Sequence, residues 1–186
     1  MTRTIIANIF SLIGATLLGI STFSKHRNKM LFIQTGDCAF HAVADLLVGS
    51  YSGFTTNALS GVRNIVNTKG KMTRSLTAVF ALLILVIGLI SLFLSEQISS
   101  LLTTENGNPG ISYYLLQLLP PIASVQYTIW SAAAKSAQRL RVGLLINLTL
   151  WLSHDIGMQL YPSLIMDTVI VAVTTINIFR NKEKKE

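Results

Sequence analysis

Seven long apolar stretches recur along this chain of 186 residues, each set off from the next by a charged or turn-rich break. Residues 5–24, 30–50, 53–68, 75–95, 113–134, 140–160 and 162–179 each approach the roughly 20 apolar residues that a membrane-crossing helix needs. The fourth, containing VFALLILVIGLISLFL, is the cleanest, while the third, SGFTTNALSGVRNIVNT, is interrupted by Asn57, Arg63, Asn64 and Asn67. A helix so interrupted has to be shielded by its neighbours. The chain is 51% hydrophobic and only 12% charged, well outside the usual balance of a water-exposed domain.

Basic residues sort the spans. Lys25, Arg27 and Lys29 follow the first, Lys69, Lys71 and Arg74 the third, Lys135 and Arg139 the fifth, and Arg180, Lys182, Lys184 and Lys185 the seventh. Because Lys and Arg gather in cytoplasmic loops, this alternation predicts an N-terminus outside and a C-terminus inside. The net charge of +7 then acts as an orientation signal, and its dispersal among short loops argues against nucleic acid. Contact of the basic tail with membrane lipid is expected instead. The single cysteine, Cys38, rules out an internal disulfide, and no zinc-binding or other metal-ligand spacing is present.

An isolated, purely apolar fourth span suggests two triplets around a linker. At one fixed offset along the chain Lys25 meets Lys135, Asp37 meets Asn147, Asp45 meets Asp155, Asn57 meets Asp167 and Asn67 meets Asn177. An odd linker leaves both triplets in the same orientation, a parallel repeat. The expected organisation is a three-helix repeat over 1–72, a linker helix and outer loop over 73–111, a second repeat over 112–180, and a basic tail over 181–186.

Polar groups inside the apolar spans are the candidate site. Asp37, His41 and Asp45 are spaced i, i+4, i+8 and share one helix face. Asp37 and Arg63 lie at depths that allow an intramembrane ion pair. Asp45, Asn57, Asp155 and Asp167 share a level with no basic partner and are expected to line a solute or proton site, with His41 and its repeat mate Trp151 facing the same cavity. Pro120 and Pro121 fall inside the fifth span and bend it. Neither a catalytic motif nor a cofactor-binding motif is present, and no enzyme activity, metal or cofactor is expected.

The GDCAFHAVADLLVGSY stretch, the Gly49-Ser50-Tyr51 turn and the Arg63-Asn64 region resemble the YgjV-type bacterial inner-membrane proteins, across most of the chain and most strongly over residues 10–70. More distantly, the three, one, three plan is similar to the sugar-transporting SWEET proteins, the PQ-loop proteins and the PnuC vitamin transporters. The likeness implies a polar residue of each triplet's third helix facing a central cavity, a position that Asn57 and Asp167 occupy; no Pro-Gln motif accompanies it. The resulting expectation is an all-α integral membrane protein with seven transmembrane helices, multi-pass in the bacterial inner membrane, moving a small polar solute between its repeats. The alternative is a non-transporting structural or interaction component held by a polar helix-packing network. Homo-oligomerisation is compatible with either.

Overall fold

The computed structural model describes residues 2–48, 51–102, 111–157 and 161–180. Among them lie seven helices, α1 (Thr2–Ser21), α2 (Arg27–Val48), α3 (Tyr51–Thr68), α4 (Arg74–Leu102), α5 (Ile111–Ala133), α6 (Ala137–Gly157) and α7 (Tyr161–Arg180). Local chemistry accounts for where they stop. Helix α1 tightens into i to i−3 bonds, from Thr22 N–H to the Gly19 carbonyl at 3.1 Å and from Ser24 N–H to the Ser21 carbonyl at 3.0 Å, the usual closing of a last turn. Hydroxyls cap α4 and α6, Thr73 accepting from Leu76 N–H at 3.2 Å and Ser136 from Arg139 N–H at 3.3 Å, which satisfies donors that have no partner within the helix.

Helix α3 ends on Gly70, whose φ of 66° lets Lys71 N–H reach back to the Val66 carbonyl. A Cβ at Gly70 would meet no atom within 4 Å, so only the left-handed backbone penalises substitution. Gly70→Ala is therefore expected to cost about 1 kcal/mol and Gly70→Asn distinctly less, read from denaturant midpoints.

Helices α1, α2 and α3 pack on one another in order, as do α5, α6 and α7, and α4 bridges α3 and α5. The two triplets meet through α1 on α7, α3 on α5 and α2 on α6. Exchange of α1, α2 and α3 for α5, α6 and α7 maps this contact set onto itself, as a two-fold related pair requires. The centre combines apolar residues such as Met30, Leu31, Leu140 and Leu144 with fully buried polar ones, among them Gln34, Asn64, Thr128 and Arg141.

The described helices do not meet the membrane-spanning expectation. Among the described residues no helix is long and apolar enough to cross a membrane. Helix α2 carries Arg27, Lys29, Asp37 and Asp45, α3 carries Asn57, Arg63, Asn64 and Asn67, and α6 carries Arg139, Arg141 and Asn147. With no spanning helix, the assignment of seven transmembrane helices, an outer N-terminus and a cytoplasmic C-terminus lacks its basis. The multi-pass inner-membrane localisation, the membrane-lipid contact and the transport of a solute between the repeats fall with it.

Candidate functional site

A cavity of about 160 Å³ lies between the triplets, walled by every helix except α4. Its lining follows the repeat: Gln34 with Leu144, Asp37 with Asn147, Cys38 with Leu148, His41 with Trp151, Asn57 with Asp167 and Ser60 with Ile170 stand at equivalent positions and all face it. The two walls differ in chemistry. Helices α2 and α3 supply Gln34, Asp37, Asn57 and Arg63, whereas α6 and α7 supply Leu144, Leu148 and Ile170 beside Asn147 and Asp167.

His41 Nδ1 lies 2.8 Å from the Asp37 carboxylate, one helical turn away. The same ring nitrogen is 3.2 Å from the Asp37 carbonyl, and Asp37 Oδ1 receives no well-aligned hydrogen bond despite the short approach. The contact is therefore chiefly electrostatic. Burial alone would depress the His41 imidazole, but the close approach and charge of Asp37, with the charge of Asp45, outweigh it and push its pKa up to about 9. A raised folded-state pKa gives stability that is complete below the unfolded value of about 6.5 and lost as pH rises through about 9. Melting temperatures followed from pH 6 to pH 10 are expected to fall across that window, and His41→Gln to flatten the decline.

Asp45 accepts a hydrogen bond from Asn57 Nδ2 at 2.8 Å across the α2–α3 turn. Burial pushes its carboxyl up, against the opposing pull of the Asn57 bond and the His41 charge. Asn57 lines the cavity and Asp45 stands behind it. Asp167 reaches the cavity from α7 and Trp151 from α6, where the Trp151 ring meets His154 edge-on at 5.7 Å. The side chain of Asp155 lies outside the described residues.

The expected Asp37–Arg63 ion pair is not formed. Asp37 engages its own-helix neighbour His41, while Arg63, 2% exposed, turns across the triplet interface. Its Nη1 donates to Thr128 Oγ1 at 2.8 Å, Nε and Nη2 donate to Asn64 Oδ1 at 3.2 and 3.0 Å, and the guanidinium sits 5.2 Å from the centre of the Tyr127 ring. Among the described residues no carboxylate comes within salt-bridge distance of it. A helix-local pair ties down fewer side-chain torsions than a long arginine drawn to another helix, which favours the His41 contact.

Sequence reasoning missed the links that join the halves. Tyr127 Oη donates to Gln34 Oε1 at 2.7 Å. Arg141, 2% exposed, donates from Nε to the Thr22 carbonyl at 2.7 Å and from Nη2 to the Ser24 carbonyl at 2.6 Å, covering the end of α1. Arg27 does the reciprocal thing, donating to the Ala134 and Ser131 carbonyls at the end of α5. Asn67 accepts from Arg27, and its repeat mate Asn177 donates to Thr22 Oγ1 at 3.1 Å. A cation on exposed carbonyls at a helix C-terminus is well placed against the helix dipole. Its signal in the sequence was an arginine inside the apolar run LRVGLL, one residue type that is rarely buried without a task.

No group of three His, Cys, Asp or Glu among the described residues could hold a metal ion. In comparison with known proteins, the profile of the Imp-YgjV family, described as bacterial inner membrane protein, matches residues 5–185. The chain belongs to that family. No curated protein and no solved structure matches it.

Proposed function

We propose that this chain is a non-transporting structural or interaction component, a helical body that keeps its polar groups inside and works through its apolar outer faces. One observation carries this reading: many polar side chains are fully buried while large apolar ones stand on the surface. Arg63, Asn64, Asn67, Thr128, Arg141 and Thr174 are at most 2% exposed, whereas Phe32, Ile165 and Phe179 are 70%, 64% and 68% exposed. Apolar surface on that scale marks contact with other apolar groups. The interior network fixes helix register, since each buried donor or acceptor that loses its mate costs about 1–3 kcal/mol.

Chemical cross-linking of the full chain, with Phe32→Glu, Ile165→Glu and Phe179→Glu tested beside wild type, addresses the proposal. The expected result is loss of cross-linked species with little change in melting temperature, because these side chains touch little inside. A wild-type chain that is monodisperse and monomeric in plain aqueous buffer would overturn it.

A second reading assigns a small polar ligand to the cavity, bound without passage. Arg63 favours it, as a buried guanidinium without a carboxylate is poised for an anionic group. In this reading Asn57, Asp167, His41, Trp151 and Asp37 face the ligand and Asp45 positions Asn57. The volume slightly exceeds that of engineered cavities of ~150 Å³ that accept one benzene-sized molecule. Melting shifts with small carboxylates are expected for wild type and not for Arg63→Met; no shift with either protein removes this reading.

A further inference from the structure

At the end of the bundle where α1, α3 and α5 terminate lies a second, open concavity of about 620 Å³, within the size range of small-molecule sites. We propose that this cleft binds a water-soluble phosphate or diphosphate ester. Three independent features converge there. The first is charge: Lys25 and Lys135, which occupy equivalent places in the two repeats, both line the cleft, and among the described residues no Asp or Glu does. Two lysine ammonium groups match the two negative charges of a phosphoryl dianion.

The second is backbone. Helix α2 begins at Arg27 and α6 at Ala137, again equivalent positions, and both starting residues line the cleft. Two helices of 22 and 21 residues thus turn their positive dipole ends toward one space, Ser136 already capping Arg139 N–H in the second. The opposing negative end of α5 is neutralised, because Arg27 occupies the Ser131 and Ala134 carbonyls.

The third is a donor left without an acceptor. Asn67 is 2% exposed and lines the cleft; its Oδ1 is held by Arg27, yet among the described residues its Nδ2 has no hydrogen-bond partner. A buried N–H₂ in that state is costly, and a phosphoryl oxygen entering the cleft supplies the acceptor. The orientation of Asn67 is fixed by the Arg27 bond, so the amide cannot turn its donor elsewhere without losing that contact.

The test is calorimetric titration of the full chain with inorganic pyrophosphate, with the double variant Lys25→Gln/Lys135→Gln and the charge-matched control Lys69→Gln/Lys71→Gln. All four lysines are exposed, so folding survives. The expected result is saturable binding to wild type, at least tenfold weaker in the cleft variant and within twofold of wild type in the control. Melting temperature raised by pyrophosphate in wild type and control, but not in the cleft variant, is the second readout. Absence of saturable binding, equal weakening in both variants, or binding of phosphatidic acid vesicles with none of pyrophosphate would overturn the proposal.

Discussion

Arg141→Met is expected to lower stability by about 2–4 kcal/mol, the largest loss from any single polar residue in the chain. The Thr22 and Ser24 carbonyls at the end of α1 lose their charged donors at 2.7 and 2.6 Å, and Gln138 Oε1 loses a third bond at 2.7 Å. Methionine fills much of the volume and supplies no donor, so those oxygens stay buried and unpaired; Thr22 itself is wholly buried. Arg141→Lys is expected to recover only a minor part, since an ammonium cannot span both carbonyls as the planar fork does. Arg27→Met should cost less, about 1–2 kcal/mol, because Arg27 is only half-buried. Denaturant melts of the three variants give this ordering directly, and an Arg141→Met protein as stable as wild type would remove the reciprocal arginines from the account.

Gly14→Val is the second large effect, at about 3 kcal/mol. A Cβ on Gly14 would fall 2.4 Å from His41 Nδ1, 2.7 Å from His41 Cε1 and 3.2 Å from the Asp37 carbonyl. The imidazole can rotate away only by abandoning Asp37, and the carbonyl belongs to the α2 backbone and cannot. Two losses therefore coincide: helix α1 is pushed off α2, and the 2.8 Å contact between His41 and Asp37 is broken. Gly14→Ala presents the same Cβ with less bulk and should cost about half as much. An NMR titration of the His41 ring separates this from generic overpacking. The imidazole pKa is expected to fall from about 9 toward its ordinary value in either variant. A destabilised Gly14 variant with the His41 titration unchanged would place the clash elsewhere.

These residues also show how far sequence reasoning reached. Seven apolar stretches located seven helices, because an apolar run bounded by charge and turn residues is a local property. The offset that set His41 on Trp151 and Asn57 on Asp167 brings both pairs to one cavity, the members of each on its two walls. What failed depended on partners far away in the chain. Arg63 was matched by depth to Asp37, but depth does not say which neighbouring helix a side chain faces, and it bonds Thr128, 65 residues on. Arg27 was counted as a mark of orientation, although it directs its donors to carbonyls 104 and 107 residues away. Arg141 reaches partners 119 and 117 residues away, a contact that no periodicity encodes. The reading of apolar helices as membrane spans went further than apolar content carries, since the described helices intersperse Asp, Arg and Asn throughout α2, α3 and α6.

Polar links such as Arg141 to the Thr22 and Ser24 carbonyls and Tyr127 to Gln34 lock the two triplets together, with the space between them a fixed interior. Cys38, the single cysteine, reports on this directly: it lies on the cavity wall, is 7% exposed, and burial pushes its thiol up to about 12. The decisive measurement is the rate at which Cys38 of the full chain reacts with an excess of a thiol reagent, in wild type and in Arg141→Met. A locked interior predicts labelling at least a thousandfold slower than in denaturant, accelerating in Arg141→Met by the factor that its lost stability dictates. Rapid labelling of the native wild-type protein, at a rate indifferent to the Arg141 substitution, would show that the triplets part while folded and contradict the account.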